Sequence, residues 1–322
     1  MQTLKPINQE LLDIYSDYLI SSFSYTTATG LSNMLDNQIT HDKITQFLSV
    51  REYNSKDLWL LVKSKVREIE TDDGCIIFDD TIEEKPYTDE NDIISWHHDH
   101  SKGRDVKGIN ILNNIYHNDN GTIPLGFETI RKTEVYIDSK TGKQKRKSPV
   151  TKNELFRQMF YQALKNQVKF LYVLADSWFS SKDNMQEIVD NEKHFILAVK
   201  SNRLIALSKS DKLEGKFVKV NSLKLEKGET TRCYFKGLDF PTLLTKQVFK
   251  NKDGSTGILY LATSDTTLDF SSTNTIYQKR WKVEEYHKSI KQNTSLAKSP
   301  TRTVKSQINH IFASMLSLKW NC

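Results

Sequence analysis

Tyr277, Arg280, Glu284 and Lys291 constrain this chain more than any other residues: within YQKRWKVEEYHKSIK they are spaced Y-x2-R-x3-E-x6-K. At about 100° per residue, one α-helix would bring all four within roughly 60° of one another. A phenol, a guanidinium, a carboxylate and an ammonium would then project from a single stripe, able to hold a metal ion and a phosphate together. Ile276, Val283 and Ile290 fall on a neighbouring stripe that can face a core. For this segment alone, a solvated helix with Arg280–Glu284 and Glu284–Lys288 pairs at i,i+4 explains the same residues. The rest of the chain has to decide between the two.

The chain has 322 residues, enough for two or three domains and a sizeable core. Apolar residues make up 37% and charged residues 27%, and no run of 18 apolar residues offers a membrane span. The opening MQTLKPINQELLDIY has no apolar signal region, so a cytoplasmic protein is expected. Three cysteines, at 75, 233 and 322, contain no CxxC, which argues against a disulfide framework or a structural zinc site. The net charge of +6 is unevenly spread. Lys140 to Lys152 holds six basic residues and no acid, in a stretch that Gly142 and Pro149 mark as a loop. Nucleic acid or solvent would suit that run equally well.

Residues 1–70 read as helical. LLDIYSDYLISS is amphipathic, and NSKDLWLLVKSKVREIE follows a cap at Asn54 or Ser55. Between them, two short helices are expected around a turn at Asp36-Asn37, the second capped by Thr40 and running to Leu48. That is the shape of a DNA-reading helix-turn-helix, and equally of an ordinary helical hairpin. From Gly74 the texture changes. GCIIFDDT reads as a short strand ending in two aspartates, and VKGINILNNIYH and TIPLGFETIRK as a hairpin around Asp119-Asn120-Gly121. A helix over 152–167, the strand FLYVLADSWF ending in Asp176, the helix SKDNMQEIVDN and the strand FILAVKSNR follow. Antiparallel pairing giving way to βαβ units predicts a mixed α/β sheet. Residues 205–270 alternate as strands, with glycine turns at Lys227-Gly228 and Asp253-Gly254, and read as a β-rich insertion before helix resumes.

Two strand-end aspartate positions and one helical glutamate supply hard oxygen donors that suit Mg²⁺ or Mn²⁺ rather than zinc. The cluster WHHDH (His97, His98, Asp99, His100) has no zinc-type spacing, and strand alternation would separate its neighbours, so a polar segment near the active edge is expected.

With FDDT, LADSWF and Y-x2-R-x3-E-x6-K in this order, the chain resembles the DDE transposases of the IS4-type insertion-sequence superfamily. The resemblance covers about residues 74–292. It implies an RNase H-like mixed-sheet catalytic core, in two parts over 71–204 and 271–322. The core would be interrupted by the β-rich insertion at 205–270 and preceded by an N-terminal helical, DNA-binding domain at 1–70. The intervals of 96 residues from Asp80 to Asp176 and 108 from Asp176 to Glu284 leave room for that insertion. It further implies Asp80, Asp176 and Glu284 as catalytic metal ligands. Asp80 is preferred to Asp79 because the family's first carboxylate directly precedes the threonine, and Glu284 to Glu285 by spacing. Tyr277, Arg280 and Lys291 would contact transposon-end phosphates, with Lys200 and Arg203 near bound DNA.

The implied activity is metal-dependent cutting at terminal inverted repeats and strand transfer into target DNA, with Mg²⁺ or Mn²⁺ as cofactor. A homodimer on double-stranded DNA in a bacterial nucleoid, with no membrane partner, is expected. In the family a tryptophan of the insertion can stack a flipped base. Here no tryptophan lies within 205–270, and Phe217, Tyr234, Phe235 or Phe249 would have to serve. The alternatives are another RNase H-like nuclease, or a transposase-derived DNA-binding protein. The abrupt end of QINHIFASMLSLKWNC suggests a shortened copy and keeps the second alternative open.

Overall fold

The computed structural model describes residues 6–100, 102–226, 228–251 and 253–318. Lys227 of the expected Lys227-Gly228 turn and the last residues of the C-terminal helical segment, 319–322, lie outside them.

Four helices open the chain: α1 (Gln9–Ser21), α2 (Ala28–Met34), α3 (His41–Ser49) and α4 (Ser55–Ile69). Their starts are written in the sequence. Asn8, Thr27 and Thr40 accept from backbone N–H groups of the first turns of α1, α2 and α3, and Asn54 forms a reciprocal capping box with Asp57. Asp36 and Asn37 adopt positive φ between α2 and α3, a conformation their short polar side chains tolerate.

The central sheet follows. Strands β1 (Cys75–Glu84), β2 (Ile94–Asp99), β3 (Arg104–Asn118) and β4 (Gly121–Thr129) precede a separate hairpin, β5 (Glu134–Ile137) and β6 (Gln144–Lys147). Within the basic run, Gln144–Lys147 is thus a paired strand, while the residues on either side of it remain turn and loop. Asp138 accepts from the N–H groups of Lys140 and Thr141 and closes its turn. Then come α5 (Lys152–Lys165), β7 (Tyr172–Ala175), α6 (Lys182–Asp190), β8 (His194–Val199), β9 (Leu204–Ala206), α7 (Lys209–Leu213), β10 (Val218–Lys219), β11 (Thr230–Phe235), β12 (Thr242–Lys250) and β13 (Thr256–Thr263). Helices α8 (Phe270–Gln278), α9 (Trp281–Asn293) and α10 (Val304–Ser317) complete the chain.

The strand order is β10-β9-β11-β12-β13-β8-β7-β1-β3-β2, with β4 also on β3. Strands β1, β7 and β8 run parallel, and β3 and β13 flank them antiparallel. The strands of 205–270 thus extend the central sheet through β13, and one hydrophobic core runs from the N-terminal helices across the sheet to α10. The expected strand ending at the aspartates is longer: β1 continues to Glu84, paired throughout with β3. Only its first residues, Cys75–Ile77, pair with β7. Beyond Ile77, Asp79 and Asp80 overhang the end of β7, and Asp176 follows β7 directly.

Helix α10 is buried on all sides, as an element packed between others must be. Its Asn309 holds the N-terminal helices in place: Nδ2 donates to the carbonyls of Leu48 (2.9 Å) and Arg51 (2.6 Å), and Oδ1 accepts from the N–H of Tyr53 (2.8 Å). Truncating it removes the partner of two buried backbone groups, those of Leu48 and Tyr53, and one bond to Arg51. Asn309→Ala is expected to cost about 2–3 kcal/mol in equilibrium denaturation; a cost within measurement error would remove this anchor from the account. Cys75 and Cys233 are buried free thiols, and burial pushes them up to about 12 and about 11. Among the described residues no helix is long and apolar enough to cross a membrane.

Candidate active site

The two aspartates of FDDT face opposite sides of β1, and their neighbours identify the sides. Phe78, on the face of Asp80, packs on Phe156 of α5, with ring centroids 4.1 Å apart. Asp80 itself accepts from Lys152 Nζ of α5 (2.7 Å) and from Asn110 Nδ2 (2.9 Å). On the other face, Asp79 stands opposite Asn113 of β3. Asn113 Oδ1 meets Nε2 of His287 on α9 at 3.0 Å. Burial brings His287 down to about 3, so its ring is neutral and donates that bond. The face of Asp79 is therefore the face that α9 covers. Arg280 completes the link, with Nη1 3.9 Å from Asp79 Oδ2 and Nη2 2.6 Å from Glu284 Oε1.

The helix of the opening motif is broken. Helix α8 ends at Gln278 and α9 begins at Trp281, with three-residue hydrogen bonds through the junction, Arg280 N to Tyr277 O and Val283 N to Arg280 O among them. The single stripe is corrected accordingly. Arg280, Glu284 and Lys291 share α9 and its N-terminal junction, while Tyr277 belongs to α8. Neither Lys279 nor Arg280 is a helix breaker. Their tertiary partners are Asp119 for Lys279 and Asp79 for Arg280, which reach the bend from the β3–β4 turn and β1. Tyr277 is buried beneath the guanidinium, whose carbon lies 5.7 Å from its ring centroid, and burial pushes its hydroxyl up to about 12. The break places Glu284 in the first turn of α9, where the helix dipole favours a carboxylate. The i,i+4 pair of the solvated-helix reading does form, but its Arg280 is largely buried and it points at Asp79.

Asp176 closes the group from the end of β7. Its Oδ1 accepts from the N–H of Trp178 at 2.9 Å. Asp79 and Asp176 are both held above the usual carboxylate range, chiefly by burial. In Asp79 the negative charges of Asp176 and Asp80 add to burial and Arg280 opposes them, leaving it at about 7. Asp176 lines two clefts. One, of about 480 Å³, also takes in Asp79, Asp80, Lys102, Lys132, Lys152, Lys291, His97, His98, His100 and Trp178. The other, of about 1100 Å³, includes Lys200, Tyr277, Arg280, Trp281 and Phe249.

Lys291 donates to the carbonyl of Ile82 at 2.8 Å, and burial lowers its ammonium from the ordinary value. Lys200 reaches the site; Arg203 does not. The Arg203 guanidinium donates to Ser180 O at 2.6 Å, packs on Phe235 and is partly buried. Trp96–Asp99 of the WHHDH segment end β2 at the rim of the smaller cleft, His97 buried and His98 exposed in alternation, and His100 lies in the turn beyond. Sequence reasoning passed over Lys152 and Trp178. Lys152 opens a capped helix with no motif around it. Trp178 sits within LADSWF, and its nearness to Asp176 was the available signal.

Oxygen donors crowded enough to raise one another's proton affinity fit a divalent cation in kind. Among the described residues, however, no three His, Cys, Asp or Glu side chains stand together as a ready-made cage. Glu284 is turned onto Arg280.

Carboxylates gathered where parallel strands end, with ammonium and guanidinium groups on the walls, are chemically suited to binding a phosphate ester. The chain belongs to the transposase DDE domain family, which matches residues 73–320. No curated protein matches it. Membership makes this an enzyme of the nuclease and transposase class with DNA as its partner, in a family that generally uses divalent metals.

Proposed function

We propose that this is the transposase of an IS4-type insertion sequence, acting as a homodimer on terminal inverted repeats. The observation that carries this reading is that Arg280 pairs with both Asp79 and Glu284, while Asp176, whose charge raises Asp79, borders both clefts. Asp79 takes the place of Asp80 as first carboxylate, because α9 and its Glu284 lie on its face of β1. Asp79, Asp176 and Glu284 would hold the divalent cation, which supplies Lewis acidity for water attack and for the departing oxygen.

The chain's own groups bind and orient the DNA. Arg280 bridges Glu284 and Asp79, and its Nε is buried with no partner among the described residues. A backbone phosphate entering beside it would compete for the guanidinium and release Glu284 towards the other carboxylates. Lys291 and Lys200 offer ammonium groups on either side of Asp176. Lys152 pairs with Asp80 on the α5 face, in the same cleft as Asp79 and Asp176. Water attack at the transposon end breaks the bond to the 3′ oxygen, leaving a 3′-hydroxyl that then attacks a target phosphodiester.

The test is cleavage of duplex DNA carrying the element's inverted repeat, with Mg²⁺ or Mn²⁺. Wild-type protein is expected to nick at the repeat boundary and Asp176→Ala to leave the DNA intact. Full cleavage by Asp176→Ala would sink the assignment, and end binding without cleavage by wild-type protein would favour a DNA-binding derivative.

A further inference from the structure

Lys152 lines the smaller cleft; the rest of the basic run lies on the hairpin β5–β6 and its turn. These two strands pair only with each other. All four side chains of β5 are exposed, Val135 at 50% and Ile137 at 66%, and in β6 only Arg146 is half-buried. A hairpin that covers no core is marginally stable by itself, and local bonds hold this one in shape. Asp138 N–H donates to Lys143 O at 2.9 Å and Gly142 N–H to Asp138 O at 2.8 Å, with Gly142 at positive φ. The base is tied down as well. Lys132, two residues before β5, donates from its N–H to Asp92 O (2.8 Å) and from Nζ to Trp96 O (2.6 Å). Both stalks belong to the wall of the smaller cleft: Ile130 and Lys132 lead into β5, and Lys152 follows β6. DNA lying on the carboxylates therefore passes the hairpin.

Residues 134–147 carry five basic side chains, Lys140, Lys143, Lys145, Arg146 and Lys147, against the acids Glu134 and Asp138. Lys145 pairs with Asp138, and Lys147 with Glu134 at 3.2 Å, in exposed positions where such pairs contribute little and can give way to a phosphate. Lys140 and Lys143 stand exposed at the tip, with no carboxylate paired to either among the described residues. Lysines along the strands also discourage a further strand from pairing there, which disfavours a second copy of the chain as the occupant. Two strands about 4.8 Å apart fit the major groove of B-form DNA, which is about 12 Å wide and admits a two-stranded ribbon. We propose that β5–β6 is an arm that lies in the major groove of duplex DNA beside the cleft, with Lys140 and Lys143 on the flanking phosphates. This rests on the reading of the cleft as a DNA-cutting site and adds the surface that holds the duplex next to it.

The experiment is an anisotropy titration of the full chain with a short labelled duplex of arbitrary sequence, without metal, over a range of salt. Lys140→Ala with Lys143→Ala should flatten the log–log salt dependence by about 1.8, at about 0.9 for each phosphate contact, and weaken binding about tenfold or more. Lys63→Ala with Lys169→Ala removes as many charges at the opposite end of the sheet, where α4 ends and β7 begins, and should leave the slope unchanged. A single strand of the same length has no groove, so the tip variant should lose far less affinity on it than on the duplex. Melting temperatures should match throughout, since all four lysines are exposed. A wild-type slope in the tip variant, the same change in the Lys63 and Lys169 variant, or equal losses on duplex and single strand would overturn the proposal. So would Val135→Ser with Ile137→Ser, if it broke up a DNA-free dimer in sedimentation while keeping wild-type DNA affinity, because the surface would then belong to a second copy. The readout needs no catalysis. Tip-dependent duplex binding by a protein that cleaves nothing would defeat the cutting reading and keep the arm. Normal cleavage with tip-independent binding would do the reverse.

Discussion

Asp79→Asn is expected to lower single-turnover cleavage of inverted-repeat DNA by about 10³ or more, and Asp80→Asn by only about tenfold. A carboxylate that holds a catalytic cation contributes several kcal/mol to the transition state, and each 1.36 kcal/mol or so is a factor of ten. Asp79 has the position for that role. It overhangs the end of β7 beside Asp176, and it shares Arg280 with Glu284. Asp80 lines the same cleft but is already paired, with Lys152 and Asn110 on the α5 face. Its loss frees Lys152 and disturbs the wall of the cleft, which explains a smaller effect. The measurement is a rate for each variant at saturating Mg²⁺ on one substrate. A larger loss in Asp80→Asn than in Asp79→Asn would return the first carboxylate to Asp80.

The same Asp79→Asn variant should be more stable than the wild type at pH 8, and the gap should widen from pH 5 to pH 8 by on the order of 2 kcal/mol. Burial, with the charges of Asp176 and Asp80, raises Asp79 from its ordinary value near 3.8 to about 7. Between those two values the folded chain keeps a proton that the unfolded chain has lost. Folding stability therefore falls as pH rises through that window and levels off above it. Asparagine has no such proton and removes the decline. Denaturant titrations of both proteins at several pH values, without metal, measure the gap directly. A gap constant from pH 5 to pH 8 would mean that Asp79 carries no such penalty. Together the two results would describe a residue kept at the expense of stability because a bound cation needs its charge.

Much of the local structure was legible in the sequence because its causes are local. Thr40 and Asn54 announce helix starts, since a cap acts within three residues. Asp36-Asn37 place a turn by their tolerance of positive φ, and Asn118-Asp119-Asn120 mark the β3–β4 turn, where Asn118 Oδ1 accepts from the N–H of Asn120. The spacing of Arg280, Glu284 and Lys291 holds along α9. Other expectations failed where distant partners decide. The bend between Gln278 and Trp281 carries no proline or glycine, and its supports, Asp79 and Asp119, come from β1 and the β3–β4 turn. The strands of 205–270 alternate as expected, but nothing in their pattern says that β13 joins β8 and extends the central sheet.

Asp79 and Asp80 draw that division most sharply. Period-two alternation by itself determines that the two carboxylates face opposite sides of a strand. It cannot determine which side receives the helix that carries Glu284. Only the packing of His287 on Asn113, and of Phe156 on Phe78, decides that, because helix docking depends on surfaces brought together from distant parts of the chain.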